Sequence, residues 1–277
     1  RMGRGKAAQM ASCYGVSGVL GDGKKGIEVL EYLPLQVRLK DGSLAQCDFF
    51  QTADDIERGA ELLNDILDDG LYWPYWHAFG SQEEFQSYFL SDTAVRLREV
   101  HVVDGEKRLG EFLGAFYVKP NFPERCSHVC NGGFMVTRQA RGRGVAQAMG
   151  KLFLRVAKDV GFRAAYFNLV FVTNQASIAV WRKLGFVALA RVPKVAKLKG
   201  INGFTDAIQF YYDLTKFDHR TYKEGPNRHA RQVPTGYEDT GDPWVDRRFF
   251  AGLAVGVAAT LLGVMYGHLL IPRTSKA

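Results

Sequence analysis

Gln139-Ala140-Arg141-Gly142-Arg143-Gly144-Val145-Ala146 is the stretch of sequence that decides the fold. The apolar run at residues 133–136 precedes it and a helical pattern at residues 147–157 follows it, so a strand is predicted to enter a glycine-rich turn that opens a helix. Backbone N–H groups in such a turn point into one concavity, and the helix start adds partial positive charge. Gly142 and Gly144 leave room for phosphate groups. Residues 139–146, called the glycine loop below, therefore predict a pyrophosphate site.

Other phosphate-binding loops do not fit this stretch. A dinucleotide-binding G-x-G-x-x-G loop would need glycine where Gln147 stands, and no Gly-Lys-Ser/Thr of a P-loop is present. The pattern that fits is Q-x-x-G-x-G, and an ordinary glycine-containing helix start is the alternative interpretation. A second pattern follows about thirty residues later, because residues 174–186 read N-x-x-S-x-x-x-W-x-x-x-G-F.

The whole-chain composition sets the class of protein. The 277 residues carry a formal net charge of +7 and 47% hydrophobic residues, which is ample for a packed core. The charge suits an anionic ligand or an anionic membrane equally, and no basic run or aromatic-basic pattern favours nucleic acid. The cysteines are too few and scattered for a disulfide scaffold, which favours a reducing compartment: Cys13, Cys47, Cys126 and Cys130.

Alternating and helical patterns along the chain predict a mixed sheet with flanking helices. Strand patterns occur near residues 27–32, 35–39, 45–50, 94–103, 109–118, 126–134, 164–172, 186–192 and 207–214. Helical patterns run from Thr52 to about Asp69, from Ser81 to Leu90, from the glycine loop to about Val160, and from Asn174 to Lys183. This order predicts a layered α/β (α+β) fold.

The two patterns together resemble the GNAT acetyltransferase superfamily, over residues 26–215. Three segments resemble one branch of the superfamily, the fungal-type enzymes that acetylate proline analogues such as azetidine-2-carboxylate. These segments are residues 116–121, 125–131 and 167–171. The resemblance implies the GNAT fold and acetyl-coenzyme A as the acetyl donor. It also implies a small amine or imino acid as the acceptor.

The resemblance assigns roles to particular residues. The pyrophosphate of coenzyme A would lie on the backbone N–H groups of the glycine loop, with Arg141 and Arg143 reaching its phosphates. Asn174 would hydrogen-bond near the thioester, and Asn131 and Asn168 would face the acceptor pocket. The implied cofactor-binding set is Val136, Arg141, Gly142, Arg143, Gly144, Val145, Ala146 and Asn174, and the implied catalytic set is Asn131, Asn168 and Asn174.

The acid and base groups of many GNAT enzymes are missing here. Residues 126–137 contain no acidic residue, and Trp181 stands where many members carry a tyrosine that protonates the thiolate. An amine that is neutral at working pH needs no strong base, so catalysis is predicted to come from positioning and polarisation. A metal site is not predicted, because Cys126, His128 and Cys130 lack the usual C-x-x-C spacing. The aromatic residues 72–76 are expected either to line the acceptor pocket or to pack in a core or loop.

The first 25 residues and the last 62 residues carry predictions about location. Residues 1–25 form a basic extension that resembles an organellar targeting region, with a plain basic tail as the alternative. Residues 216–248 are predicted to be a polar linker, residues 249–271 a transmembrane helix and residues 272–277 a short tail. The uncharged stretch would be roughly 34 Å long as a helix, enough to span a bilayer. A buried core helix is the alternative.

The small residues of the predicted span fall on one helical face and would let other transmembrane helices approach: Gly252, Gly256, Ala259, Gly263 and Gly267. Two functions are therefore expected. One is a membrane-anchored N-acetyltransferase that uses acetyl-coenzyme A on a small amine or imino acid. The other is a GNAT-derived accessory subunit, with or without catalysis, of an organellar membrane complex such as a respiratory complex of the mitochondrial inner membrane.

Overall fold

The computed structural model describes residues 27–221, and within them eight strands form one mixed sheet. The strands lie in the spatial order β1-β2-β3-β4-β5-β6-β8-β7. In chain order they are β1 (Leu35–Arg38), β2 (Leu44–Phe49), β3 (Thr93–Val103), β4 (Glu106–Pro120), β5 (Val129–Val136), β6 (Ala164–Phe171), β7 (Val187–Ala196) and β8 (Thr205–Asp213). The predicted mixed sheet is confirmed.

Strands β5 and β6 are the parallel pair, whereas the other neighbouring strands of the sheet run antiparallel. They pair at two positions only, Val129 with Ala164 and Cys130 with Ala165. Beyond Cys130 the two strands diverge, while β5 continues to pair with β4 as far as Val136. The divergence opens a gap in the middle of the sheet.

Between residues 27 and 221, four α-helices cover the two faces of the sheet. They are α1 (Ala53–Asp69), α2 (Gln82–Phe89), α3 (Val145–Asp159) and α4 (Gln175–Lys183). Side chains alternate between the faces along a strand, so Ala115 and Tyr117 of β4 join the α1/α2 core, whereas Phe116 and Val118 join the α3/α4 core. Burying a side chain such as Phe116 contributes about 1.5–3 kcal/mol.

Helix α1 has both of its predicted ends. The Thr52 side chain accepts a hydrogen bond from the Asp55 N–H at 3.1 Å, and the Asp55 carboxylate accepts one from the Thr52 N–H at 3.2 Å. Gly70 ends the helix in the left-handed conformation, with φ of 66°. A capping box of this kind satisfies N–H groups that the first turn would otherwise leave unpaired.

Buried charges attach α1 to the sheet. Asp55 lies 3.2 Å from the guanidinium of Arg96 and accepts a hydrogen bond from Arg98 at 2.7 Å. Burial alone would raise the pKa of Asp55, but hydrogen bonds from Gln51, Arg98 and Thr52 and the charge of Arg96 lower it to about 2. The carboxylate therefore stays ionised inside the fold.

The first predicted strand is wrong. Residues 27–30 form a short 3-10 helix rather than a strand, and the Leu33 N–H closes the following turn on the Leu30 carbonyl at 2.9 Å. Leu30 is buried in the core beneath α3, and this tertiary burial outweighs the alternating pattern. At the other end the packed core reaches Phe217, two residues beyond the predicted boundary at 215.

Several predictions concern parts of the chain that the structure does not describe. The extension at residues 1–25, most of the linker at 216–248, the apolar stretch at 249–271 with its small-residue face, and the tail at 272–277 lie outside residues 27–221. Within residues 27–221, no helix combines the length and the apolar character that crossing a membrane requires.

Candidate functional site

The glycine loop connects the end of β5 to the start of α3, as predicted. A 3-10 turn at Arg138–Ala140 leads into Gly142 and Gly144, which adopt φ of 80° and 89°. Gly144 is the N-cap of α3 and offers no side chain to the helix start. The N–H groups of the first turn of an α-helix lack partners within the helix, so an anionic group can bind there.

The two arginines of the glycine loop differ in their surroundings. Arg143 donates hydrogen bonds to the Asp41 carboxylate at 2.7 Å and the Ser43 hydroxyl at 2.9 Å, and it also bonds Glu99. Its guanidinium is therefore engaged with the β1–β2 turn and Glu99, and the phosphate contact that the resemblance implies for it stays a prediction. Arg141 is exposed, lies 5.8 Å from the centre of the Tyr72 ring and borders the cavity described below.

Lys40 is a basic residue of the site that sequence reasoning missed. Its backbone N–H donates to the Arg143 carbonyl at 3.0 Å, and its side chain borders the same cavity as Gly142 and Gly144. The β1–β2 turn is held by hydrogen bonds from Ser43 and Arg143, which lower the pKa of Asp41 to about 2. A hairpin about one hundred positions upstream thus brings a cation to the glycine loop, and no local pattern marks it.

A cavity of about 590 Å³ joins the glycine loop to the gap between β5 and β6. Val136, Val145 and Ala146 border it near the glycine loop, and Asn131, Asn168 and Asn174 border it along the diverging strands and at the start of α4. Every residue of the predicted set therefore lines one cavity, except Arg143. The roles that the resemblance implies for these residues stay predictions.

Asn174 caps α4, as its position before the helix predicted. Its Oδ1 accepts a hydrogen bond from the Ser177 N–H at 3.1 Å. Because this oxygen is used by the cap, the Nδ2 group is the part of the side chain that can donate to a carbonyl oxygen in the cavity.

Asn131 and Asn168 are joined by a third asparagine, Asn121, which follows β4 and is fully buried. Asn121 Oδ1 accepts hydrogen bonds from Asn168 Nδ2 at 2.7 Å and from Asn131 Nδ2 at 3.2 Å. Asn121 Nδ2 donates to Asn168 Oδ1 at 3.1 Å. The three carboxamides form a network at the point where β5 and β6 diverge.

Aromatic side chains form part of the cavity wall, among them Tyr72, Trp73 and Tyr75. Tyr72 and Trp73 also pack against the α1/α2 core, so the residues of segment 72–76 meet both structural expectations in part, and their contact with an acceptor stays a prediction. Trp73 donates its indole N–H to the Tyr88 hydroxyl at 3.0 Å, and the Tyr88 and Tyr117 hydroxyl oxygens are 3.3 Å apart. Burial and the neighbouring Tyr117 raise the pKa of Tyr88 well above its usual range. The buried Lys119 ammonium lies 4.5 Å and 4.4 Å from the centres of the Tyr88 and Tyr117 rings.

Among the described residues, the lining of this cavity contains no Asp, Glu, His or Cys. Trp181 borders it and packs 4.7 Å from the ring centres of both Phe134 and Phe167, so it fills space and offers no acidic hydroxyl. Cys126 lies in a 3-10 turn and not on β5. Within residues 27–221, no group of three or more His, Cys, Asp or Glu side chains is arranged to hold a metal ion.

Comparison with known proteins identifies this architecture. Residues 69–186 match the model of the acetyltransferase (GNAT) family. The domain has the GNAT fold. Over 106 residues the chain is 44% identical to the N-acetyltransferase aca1 of Schizosaccharomyces pombe, a match that spans 38% of this chain and 51% of that protein. Over 103 residues it is 30% identical to protein SPT10 of Saccharomyces cerevisiae, spanning 37% of this chain and 16% of that protein.

Solved structures agree with the family model. A GCN5-related N-acetyltransferase from Kribbella flavida is 26% identical with a TM-score of 0.53, over 61% of this chain and 97% of that one. A GNAT superfamily phosphinothricin acetyltransferase from Sinorhizobium meliloti, solved with acetyl-coenzyme A, is 16% identical with a TM-score of 0.51, over 71% of this chain and 97% of that one. These two solved structures share the fold of this domain.

Proposed function

We propose that the chain is an N-acetyltransferase that binds acetyl-coenzyme A in the central cavity and acetylates a small amine or imino acid. The observation that carries the proposal is the continuity of one cavity from the glycine loop, through the gap between β5 and β6, to the asparagine and aromatic side chains. The name of the Schizosaccharomyces pombe relative and the acetyl-coenzyme A bound to the Sinorhizobium meliloti enzyme support it.

The residues of the glycine loop fit a diphosphate. The space around Gly142 is open, since a Cβ added there would meet no protein atom within 4 Å. Backbone N–H groups at the start of α3 would bind the phosphate oxygens, and Arg141 and Lys40 would neutralise their charge. When bound, acetyl-coenzyme A supplies an acetyl thioester. Asn174 Nδ2 would donate to the carbonyl oxygen and polarise it.

The acceptor would bind beside Asn131 and Asn168, under the aromatic residues Tyr72, Trp73 and Tyr75. The described cavity lining contains no carboxylate or histidine that could act as a base. The acceptor would therefore bind as the neutral amine and not as the ammonium ion. The protein would then accelerate transfer by holding the nitrogen and the carbonyl carbon close together in a fixed orientation, an effect that reaches about 7–11 kcal/mol in favourable cases. We propose a proline analogue such as azetidine-2-carboxylate as the acceptor, from the similarity of residues 113–214 to that branch.

The full chain tests this proposal directly. Coenzyme A release from acetyl-coenzyme A is measured with a panel of amines, amino acids and imino acids, and coenzyme A binding is measured separately by calorimetry. Asn174→Ala is expected to lower the rate of transfer by about 10²–10³-fold, as removal of a polarising donor does elsewhere, while coenzyme A still binds. Absence of both binding and turnover in the unmodified protein would refute the proposal.

We also propose a membrane setting, which rests on the uncharged stretch at residues 249–271 and the basic residues at both of its ends. The basic start of the chain supports the mitochondrial inner membrane. The protein should remain in the membrane pellet after alkaline carbonate extraction, whereas a chain that ends at residue 248 should not. Release of both proteins into the supernatant would contradict the anchor.

We propose as a second candidate function an accessory subunit of an organellar membrane complex, with or without catalysis. The small-residue face from Gly252 to Gly267 supports contact with other transmembrane helices. Native electrophoresis of mildly solubilised membranes tests this role. Migration as a lone protein that also turns over acetyl-coenzyme A would exclude it.

A further inference from the structure

Asn121 occupies a special position in the sheet. It follows the last residue of β4, and its backbone N–H donates to the Val129 carbonyl at 2.8 Å, which continues the β4–β5 pairing by one position. Val129 is also where β5 pairs with β6. The side chain is 0% exposed, so Asn121 makes no direct contact with solvent, yet it bonds the two cavity asparagines on the diverging strands.

The hydrogen bonds define the orientation of each carboxamide. Asn131 Oδ1 accepts from the Gly132 N–H at 2.7 Å, which turns Asn131 Nδ2 towards Asn121. Asn168 forms a reciprocal pair with Asn121, because each donates its Nδ2 to the Oδ1 of the other, at 2.7 Å and 3.1 Å. Reversing the Asn168 carboxamide would place oxygen against oxygen and nitrogen against nitrogen, and both bonds would be lost.

We propose that Asn121 is a positioning residue that makes Asn131 and Asn168 present N–H donors, and not oxygens, to the acceptor. Each Nδ2 group carries two hydrogens, and one of them is directed at Asn121 Oδ1. Both nitrogens approach the same oxygen atom, so they are neighbours at the cavity wall. The inference rests on the proposed function, because it assumes that the acceptor binds beside these two amides.

Two neighbouring N–H donors suit an acceptor that carries oxygen atoms close to its nitrogen, such as an imino acid with its carboxylate. A reversed amide would present an oxygen and repel that group. Asn121 would therefore act on the affinity for the acceptor through its two neighbours, and it would leave the coenzyme A end of the cavity unchanged.

Asn121→Leu tests this idea with little change in shape and no added charge. The leucine neither accepts from the two Nδ2 groups nor donates to Asn168 Oδ1, so all three bonds that orient the two amides are lost. With azetidine-2-carboxylate as the acceptor we expect the KM for the acceptor to rise at least 10-fold, with the KM for acetyl-coenzyme A unchanged. A tenfold rise in KM corresponds to a loss of about 1.4 kcal/mol of binding free energy. With azetidine, the KM should change less than about 2-fold, because azetidine has no carboxylate for the two amides to recognise.

Asn64→Leu is the matched control. Asn64 also uses both ends of its carboxamide, donating to the Phe79 carbonyl at 3.1 Å and accepting from the Phe79 N–H at 2.8 Å, and it does not border the cavity. It should lower stability and leave both KM values unchanged. If Asn121→Leu does not fold, Asn121→Ser takes its place with the same measurements.

The outcomes separate the two proposals. If the unmodified protein turns over neither acceptor, the proposed function fails. The positioning role is refuted if the unmodified protein turns over azetidine-2-carboxylate and the Asn121 variant keeps the KM for this acceptor within about 2-fold. It is also refuted if the KM rises by the same factor with azetidine, because the network would then be merely structural.

Discussion

Replacing Gly144 and Gly142 by alanine, one at a time, tests how the β1–β2 turn is held against the glycine loop. Both residues have left-handed φ values, 89° and 80°. A Cβ at residue 144 would lie 2.8 Å from the Cβ of Lys40 and 3.1 Å from its backbone nitrogen, whereas a Cβ at residue 142 would meet nothing within 4 Å. The two substitutions thus share the conformational cost and differ in the contact with the turn.

The left-handed conformation costs an alanine about 1–2 kcal/mol, and displacing a packed neighbour adds about 1–3 kcal/mol. We therefore expect the free energy of unfolding to fall by about 1–2 kcal/mol for Gly142→Ala and by about 2–5 kcal/mol for Gly144→Ala. The entropy that alanine removes from the unfolded chain is the same for both and cancels in the difference.

Urea unfolding followed by circular dichroism measures this difference on the full chain. Gly200→Ala is the control away from the site, because Gly200 also has a left-handed φ, of 73°, and open space around it. It should resemble Gly142→Ala. The free energies of unfolding of all three variants could instead fall by the same amount, within about 0.5 kcal/mol. The β1–β2 turn would then not pack closely against Gly144, and the inference that this turn holds Lys40 at the glycine loop would be wrong.

Three further predictions concern charge. Lys40→Gln should weaken coenzyme A binding about 5–10-fold in low salt and less at high salt, whereas Lys197→Gln, an exposed control outside the cavity, should leave calorimetric affinity unchanged. The pH at which kcat/KM rises should follow the amine pKa of each acceptor. A rise at the same pH for acceptors of different amine pKa would contradict this. The pKa of Asp55 lies near 2 instead of its ordinary 3.8, so its stabilisation is present above about pH 4 and disappears as the pH falls towards 2. Asp55→Asn should remove this pH dependence from the midpoint of urea unfolding. An unchanged loss of stability in acid would contradict the prediction.

Local patterns predicted the parts of the fold that local chemistry controls. Thr52 and Gly70 bound α1 because a capping side chain and a left-handed glycine act within one turn of the helix. Asn174 caps α4 for the same reason. The 3-10 turn at residues 27–30 was missed, since burial of Leu30 against the α3 side of the core depends on residues far along the chain.

The candidate site was predictable along β5 and α4 and unpredictable across the sheet. Gly142, Gly144 and Asn174 stand at fixed spacings within two motifs, and Asn131 lies in a segment that resembles the fungal-type branch, so sequence alone could point to them. Lys40 reaches the glycine loop only because β1 and β2 are added at one edge of the sheet, and its turn is held by bonds from Arg143. The same bonds engage the Arg143 side chain, a contact that its position in the motif did not predict.

The missing acid and base need not prevent catalysis. In acetyl transfer to an amine, the nitrogen loses one proton and the departing sulfur gains one, so the protein need supply no net proton. What it must supply is a fixed approach of nitrogen to carbonyl carbon, and donors where negative charge develops. In the proposed enzyme, the gap where β5 diverges from β6 after Cys130 would provide the first, and Asn174 at the start of α4 would provide a donor for the second. An acid-free cavity is therefore compatible with an enzyme and with an accessory subunit alike. The test that separates these two roles is turnover by the unmodified chain.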